Sequence, residues 1–225
     1  GMVIKTTNPE YSFQTPKPLW AEANPIDWWN ATRTAIKELI LSIDSNKIAG
    51  IGLTGQMHGM VALNKGGNVL RPCIMWNDQR SHLECDEITQ KVGQENLLRI
   101  TGNPVLPGFT APKILWTQKK EPELFALIDK IVLPKDFIRY KLTGEFFSDV
   151  SDASGTSLLD VGKRSWSSEI FDSLGWPISW MPEVTESTEA TSTISVEAAE
   201  LTGLLAGTPV VAGGGDCAAQ AVGSG

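Results

Sequence analysis

Pro209-Val210-Val211-Ala212-Gly213-Gly214-Gly215-Asp216-Cys217-Ala218-Ala219 passes from apolar residues through three glycines and a carboxylate into small helix formers. A short apolar run of this kind reads as a buried strand. Glycines then let the backbone approach a ligand closely, with N–H groups free for phosphate oxygens. Strand, tight turn and helix in that order point to an α/β sheet. Asp216 would stand at the strand tip on a rigid mount. Two uses of it stay open on the pattern. It caps the following helix, or it takes a proton from an alcohol attacking a phosphoryl group. The stretch is neither a Walker loop nor a dinucleotide fingerprint, because the lysine and the spacing are absent.

The same alternation extends upstream. Residues 48–54 form a second apolar, glycine-containing run that reads as a buried strand, and it ends in the loop Gly55-Gln56-Met57-His58-Gly59. Residues 60–64 resume a strand, Lys65-Gly66-Gly67-Asn68 reads as a hairpin turn, and Val69 to Trp76 returns. Before this, Asn24-Pro25 starts a helix whose apolar positions run at helical spacing to about Ile43. Residues 2–8 read as a short strand, and residues 14–25 as an extended segment fixed by prolines. Downstream, helices are expected from about Arg80 to Val92, Ala111 to Glu121, Pro122 to Ile128, Pro134 to Leu142 and Ser165 to Leu174. A strand is expected over Lys130 to Leu133 and loop over 101–112. The Ser/Thr/Glu-rich residues 183–195 read as surface. The set describes a mixed α/β protein.

Composition narrows the function. The 225 residues carry a net charge of −7, with 41% hydrophobic and 20% charged residues. An acidic surface without a dense basic stripe argues against a nucleic-acid partner. The apolar runs are strand-sized, too short for a membrane span. The three cysteines match no zinc or disulfide framework. No signal peptide opens the chain, so the cytoplasm is the default location.

Three further stretches carry candidate chemistry. His58, in the loop after a buried strand, sits where α/β sheets tend to bind ligands, with Gln56 beside it. It is a polyol contact or a satisfied loop histidine; His82 reads as solvent-facing. Trp76-Asn77-Asp78-Gln79-Arg80 combines an aromatic wall with amide, carboxylate and guanidinium groups suited to sugar hydroxyls. It equally suits an Asp helix cap with Arg80 paired to Glu84. Ser148-Asp149-Val150-Ser151-Asp152-Ala153-Ser154-Gly155-Thr156 is a metal or hydroxyl site, or a set of self-satisfied turns.

Read in order, these motifs resemble the FGGY family of carbohydrate kinases, its xylulose-phosphorylating branch above all. The resemblance rests on Gly55-Gln56-Met57-His58-Gly59, Trp76-Asn77-Asp78-Gln79-Arg80, Thr101-Gly102-Asn103 and Pro107-Gly108-Phe109-Thr110-Ala111-Pro112-Lys113-Ile114-Leu115-Trp116. It continues through Leu133-Pro134-Lys135-Asp136-Phe137, Thr143-Gly144-Glu145, residues 148–156 and Gly213-Gly214-Gly215-Asp216. It implies an actin-like ATPase architecture of ribonuclease H-like domains, truncated at both ends. Residues 2–203 would be the N-terminal domain without its first hairpin, and residues 204–225 the first strand and phosphate loop of a C-terminal domain. It implies transfer of the ATP γ-phosphoryl group to D-xylulose with Mg²⁺. Asp216 would be the proton acceptor, and Met57 and His58 the sugar contacts. Trp76, Asn77, Asp78 and Arg80 would lie near the pocket, and Gly213, Gly214 and Gly215 would face the ATP phosphates. No metal ligand is assigned. Cys217 stands where the branch often has Asn.

By the same resemblance, this polypeptide alone is expected to be inactive. It is also expected to expose a sheet edge that favours self-association or a separate polypeptide partner. The alternatives are a sugar-binding fragment without catalysis, or a kinase of another polyol such as ribulose, gluconate or glycerol.

Overall fold

The computed structural model describes residues 2–225. Its centre is a sheet whose strands alternate their side chains between two cores. Met60, Ala62, Ile74 and Ile131 point to one face, while Val61, Leu63, Cys73 and Val132 point to the other. This is the period of two that a pleated strand imposes. Both faces are apolar, so helices cover both. Helices His82–Val92, Thr110–Lys120 and Ser168–Leu174 pack on the first face. Helices Pro25–Ile40, Pro134–Thr143 and Val196–Thr202 pack on the second.

Strand Glu22–Ala23 pairs antiparallel with Cys73–Ile74, and Val61–Leu63 with Lys130–Val132. The bridge Met60↔Ile74 joins these two pairs. The Asn64–Asn68 turn closes the expected hairpin through Gly67 N–H on Asn64 O at 2.8 Å. On the other side, Ala190–Thr193 pairs antiparallel with Pro209–Val211. The chain then runs parallel to residues 51–55, with Ile51 bridging Val210, Gly214 opposite Thr54 and Gly215 opposite Gly55. That parallel alignment puts the His58 loop and Asp216 at the same ends of adjacent strands.

Helix termini follow their local chemistry. Asn24 accepts from Ile26 N–H ahead of Pro25, and Ser195 accepts from Ala198 N–H. Gly144 and Gly203 stop their helices in the left-handed conformation.

Several expectations need correcting. Residues 2–8 form no strand. They lie against the Pro25–Ile40 helix through polar contacts such as Lys5 Nζ on Glu38 O and Ser42 Oγ, both at 2.8 Å, and no ladder partner reaches them. Residues 48–54 are half-buried at most, because their hydrogen bonds to Pro209, Val211 and Gly214 all lie on one edge. The other edge opens onto a groove lined by Tyr11, Trp28, Leu53, Gln56, Pro134 and Ile138. Residues 183–195 contribute two strands, Glu183–Thr185 parallel to Phe147–Asp149, and Ala190–Thr193. Helices Gln94–Thr101 and Val196–Thr202 were not expected.

A buried ionic knot fixes the Glu22 edge. Asp78 is fully buried, and its carboxylate accepts from Ala21 N–H at 2.6 Å and from the main chain and guanidinium of Arg80. Arg80 also reaches Glu22 at 2.7 Å and lies 3.7 Å from the Trp20 ring centroid. Removing one partner of such a pair leaves a bare buried charge, which costs about 3–5 kcal/mol. Asp78→Ala is therefore expected to lower the unfolding free energy by about that amount. Urea denaturation followed by tryptophan fluorescence measures it, and a loss below 1 kcal/mol would count against this role.

Candidate active site

The site is built where three chain segments meet. Gly59 lets the first come close, because a Cβ there would fall 2.6 Å from Pro134 Cγ and 2.9 Å from Cys73 Sγ. His58 is left-handed, with φ 69°, a conformation that costs a non-glycine residue energy and persists only when neighbours enforce it. Four contacts do so. Thr110 Oγ1 donates to His58 O at 3.1 Å, and Lys113 Nζ to the same oxygen at 2.8 Å. The ring donates from Nδ1 to Gly155 O at 2.7 Å and packs at a 33° tilt against Phe109 with centroids 4.7 Å apart.

The glycine run supplies the second segment. Gly213 has φ 88°, and a Cβ there would meet Leu53 O at 2.3 Å. A Cβ on Gly215 would strike Met57 Cγ and Sδ at 2.8 Å. Met57 therefore lies directly against the turn that carries Asp216. Asp216 opens the last helix, half-exposed, with Oδ1 accepting from Cys217 N–H at 2.8 Å and Oδ2 making no hydrogen bond. Met57 lies between the two: a Cβ on Gly155 would meet both the His58 ring and Met57 Cε, and one on Gly215 would meet Met57.

The glycine N–H groups are not free for phosphate, contrary to expectation. Gly213 N–H donates to Ser187 O and Gly214 N–H to Leu53 O, both at 3.0 Å, and Gly215 N–H to Ser151 Oγ at 3.1 Å. Strand pairing takes one and the Ser187 carbonyl and Ser151 hydroxyl take the others, so none of the three is free for a phosphate. The three glycines serve close packing.

The third segment is a buried charge cluster behind this turn. Lys135 Nζ donates to Ala212 O at 3.1 Å, pairs with Asp136, and lies 3.1 Å from Asp149 and 4.0 Å from Asp152. Asp149 in turn holds Ser151 and Ser187, and Ser151 holds Gly215. Burial works against the Lys135 charge, but the Asp136, Asp152 and Asp149 carboxylates outweigh it and keep the ammonium protonated. Among the described residues, neither oxygen of Asp152 has a hydrogen-bond partner. Burial, then the Asp136 charge, push its carboxyl well above the usual carboxylate range, against the pull of Lys135. Among the described residues, no group of three or more His, Cys, Asp or Glu is arranged to hold a metal ion.

Comparison with known proteins bears on this cleft. Residues 1–223 match the N-terminal domain of the FGGY family of carbohydrate kinases. The chain belongs to the FGGY family. It is 45% identical over its whole length to xylulose kinase of Escherichia coli strain K12, and 43% identical to that of Klebsiella pneumoniae. It spans 46% of the length of each. The structure of a xylulose kinase from Rhodospirillum rubrum superposes with a TM-score of 0.91 at 31% identity, covering 95% of this chain and 44% of that one. The actin-like architecture of FGGY kinases is thus the fold of this chain.

Within the FGGY frame, the expected sugar-reading residues divide. Met57, His58 and Asp216 come together. Trp76 is 54% exposed and Asn77 is exposed, and the Trp76 carbonyl packs against Gly108. Asp78 and Arg80 are turned inward, and Arg80 pairs with Asp78 and Glu22 while Glu84 takes Lys119. Their burial makes them supports of the fold, not readers of sugar hydroxyls. Sequence reasoning missed Phe109, Lys113, Lys135 and Gly155 as site builders. The legible signal was a lysine, Lys113, set between core residues on the Thr110–Lys120 helix.

Asp152 makes stability depend on pH. Its folded pKa lies above the unfolded value, so the unfolded chain releases the proton first. The contribution of the protonated carboxyl is full at acid pH and is lost as pH rises through the folded value. Unfolding free energy from this group is expected to fall as pH rises from the ordinary carboxylate value of 3.8 toward the higher folded one. Asp152→Asn is expected to flatten that fall and add about 1–3 kcal/mol at the alkaline end. Parallel pH profiles for the two proteins in urea would refute the assignment.

Proposed function

We propose that this chain forms the sugar-binding part of an ATP-dependent kinase that phosphorylates D-xylulose to xylulose 5-phosphate. One observation carries the reading: Met57, His58 and Asp216 converge at the ends of two parallel strands. The family membership and the identity to xylulose kinases support the substrate. His58 and Met57 contact the ketose. Asp216 Oδ2 accepts the proton of the terminal hydroxyl as that oxygen attacks phosphorus. ATP with Mg²⁺ supplies the phosphoryl group in such enzymes. No described residue is assigned to either, and the engaged glycine N–H groups support holding of the phosphates by other residues. The location we propose is the cytoplasm; no described helix is long and apolar enough to cross a membrane.

Because phosphoryl transfer depends on positioning and charge neutralisation, this polypeptide alone is expected to bind sugar without turning it over. Calorimetry should show D-xylulose binding with a Kd in the range of about 1 μM to 1 mM typical of enzyme substrates. His58→Ala should weaken it at least about tenfold, a loss of roughly 1.4 kcal/mol. Binding of glycerol or gluconate in preference to D-xylulose would replace the substrate. Absence of binding to any of them would remove the reading. Sustained ATP consumption with D-xylulose would show that the chain is a complete catalyst.

The unpaired edge at residues 50–54 supports pairing with a second copy of the chain or with a separate polypeptide. Light scattering behind size exclusion should show a species heavier than the 24.4 kDa monomer. Monomer alone at 100 μM, a concentration at which a roughly micromolar pair would be assembled, would exclude self-pairing.

A further inference from the structure

The two nitrogens of the His58 ring have unlike surroundings. Nδ1 lies 2.7 Å from Gly155 O, an atom that can only accept, so Nδ1 carries a proton. Nε2 makes no hydrogen bond to any described residue, and the side chain is half-exposed. Burial holds the ring below its ordinary 6.5. The Gly155 bond opposes that shift, Lys113 reinforces it and Asp216 opposes it. The neutral ring therefore keeps its proton on Nδ1 and offers a lone pair at Nε2.

Two residues enforce this state without touching the cleft themselves. Gly155 leaves room for the ring: a Cβ there would lie 2.5 Å from Cε1 and Nδ1 and 3.0 Å from Met57 Cε. Lys113 is fully buried and ties His58 O to Gly108 O, at 2.8 and 2.6 Å. Burial pulls its pKa down to about 7; Cys73 and Asp78 resist and Arg80 assists. A neutral amine has two N–H groups, as many as the two carbonyls it serves, so the tie survives in either protonation state.

We infer that Gly155 and Lys113 are positioning residues that present His58 Nε2 as a hydrogen-bond acceptor, reading one hydroxyl of a neutral polyol. The inference deepens the sugar-kinase proposal and rests on it. The group read at this point must donate, so a carbonyl, ether or phosphate oxygen there is rejected. Asp216 is also an acceptor, and together the two favour a ligand rich in hydroxyl donors and disfavour an anion.

The chain has two histidines, so ¹⁵N-histidine labelling resolves both, and exposed His82 serves as the internal reference. In the sugar-free protein at pH 7.5, His58 should show a protonated Nδ1 and an unprotonated Nε2. D-xylulose should shift the Nε2 resonance and leave it unprotonated. Calorimetric affinity should be level in the alkaline range and fall up to about tenfold per pH unit below the His58 pKa. His58→Gln, whose amide oxygen accepts but does not titrate, should keep measurable binding and lose that pH dependence. Gly155→Ala should lose at least about tenfold in affinity, roughly 1.4 kcal/mol, and mix the His58 tautomers while the remaining amide spectrum stays folded. Should that variant not fold, the measurement on the unaltered chain still decides. An Nε2-protonated ring or an imidazolium at pH 7.5, or affinity that rises on acidification, overturns the inference and leaves sugar binding standing. The expected tautomer without sugar binding overturns the acceptor role together with the function it serves.

Discussion

The close parallel approach of Gly213–Gly215 to residues 53–55 is the constraint on which the rest depends. A side chain at Gly213 would enter the Leu53 carbonyl, and one at Gly215 would enter Met57. Bare backbone is therefore required on one strand so that two loops can reach the same sheet end. Leu53 O, Ser187 O and Ser151 Oγ take the N–H groups that a glycine-rich turn otherwise offers to anions. The same residues cannot serve both purposes here, and packing has the better claim because every donor already has a partner.

That approach needs a rigid backing, which buried charge provides. Lys135 grips Ala212 and the carboxylates of Asp136 and Asp149, and Asp149 passes the constraint through Ser151 to Gly215. Three carboxylates around one ammonium leave the cluster under-neutralised. Asp152 finds no hydrogen-bond partner among the described residues, and burial with the Asp136 charge raises its affinity for a proton. On the opposite side, Asp78, Arg80 and Glu22 lock the sheet edge against Trp20. Buried ion pairs are weak evidence for net stability. What these offer is direction: a planar guanidinium or a compact ammonium has few satisfying geometries, and each selects one placement of the loops around it.

Much of the fold was legible because periodicity survives in strands and helices with two-sided burial. The hairpin around Asn64–Asn68, the Pro25–Ile40 helix and the strand entering Gly213 were all readable from local pattern. The strands at Glu183–Thr185 and Ala190–Thr193 were hidden by their polar composition, since their surroundings leave them half-exposed. Met57, His58 and Asp216 could be named from motif order. Asp78 and Arg80 were placed with them because amide, carboxylate and guanidinium groups suit a sugar and an internal ion pair equally well. Lys113, Phe109 and Gly155 act on His58 across long stretches of chain, and no local spacing carries that information.

The parallel register between residues 54–55 and 214–215 joins distant parts of the sequence. Contacts of such separation close late in folding, because the loop entropy between them must be overcome before they contribute anything. On a ribosome, the His58 loop would emerge and wait until residues 214–215 had been made before its partner strand existed. Ligand recognition would then arise only after that later strand had joined the sheet. Partly made chains would be unable to sequester sugar, and their exposed strand edges would be natural clients for chaperones.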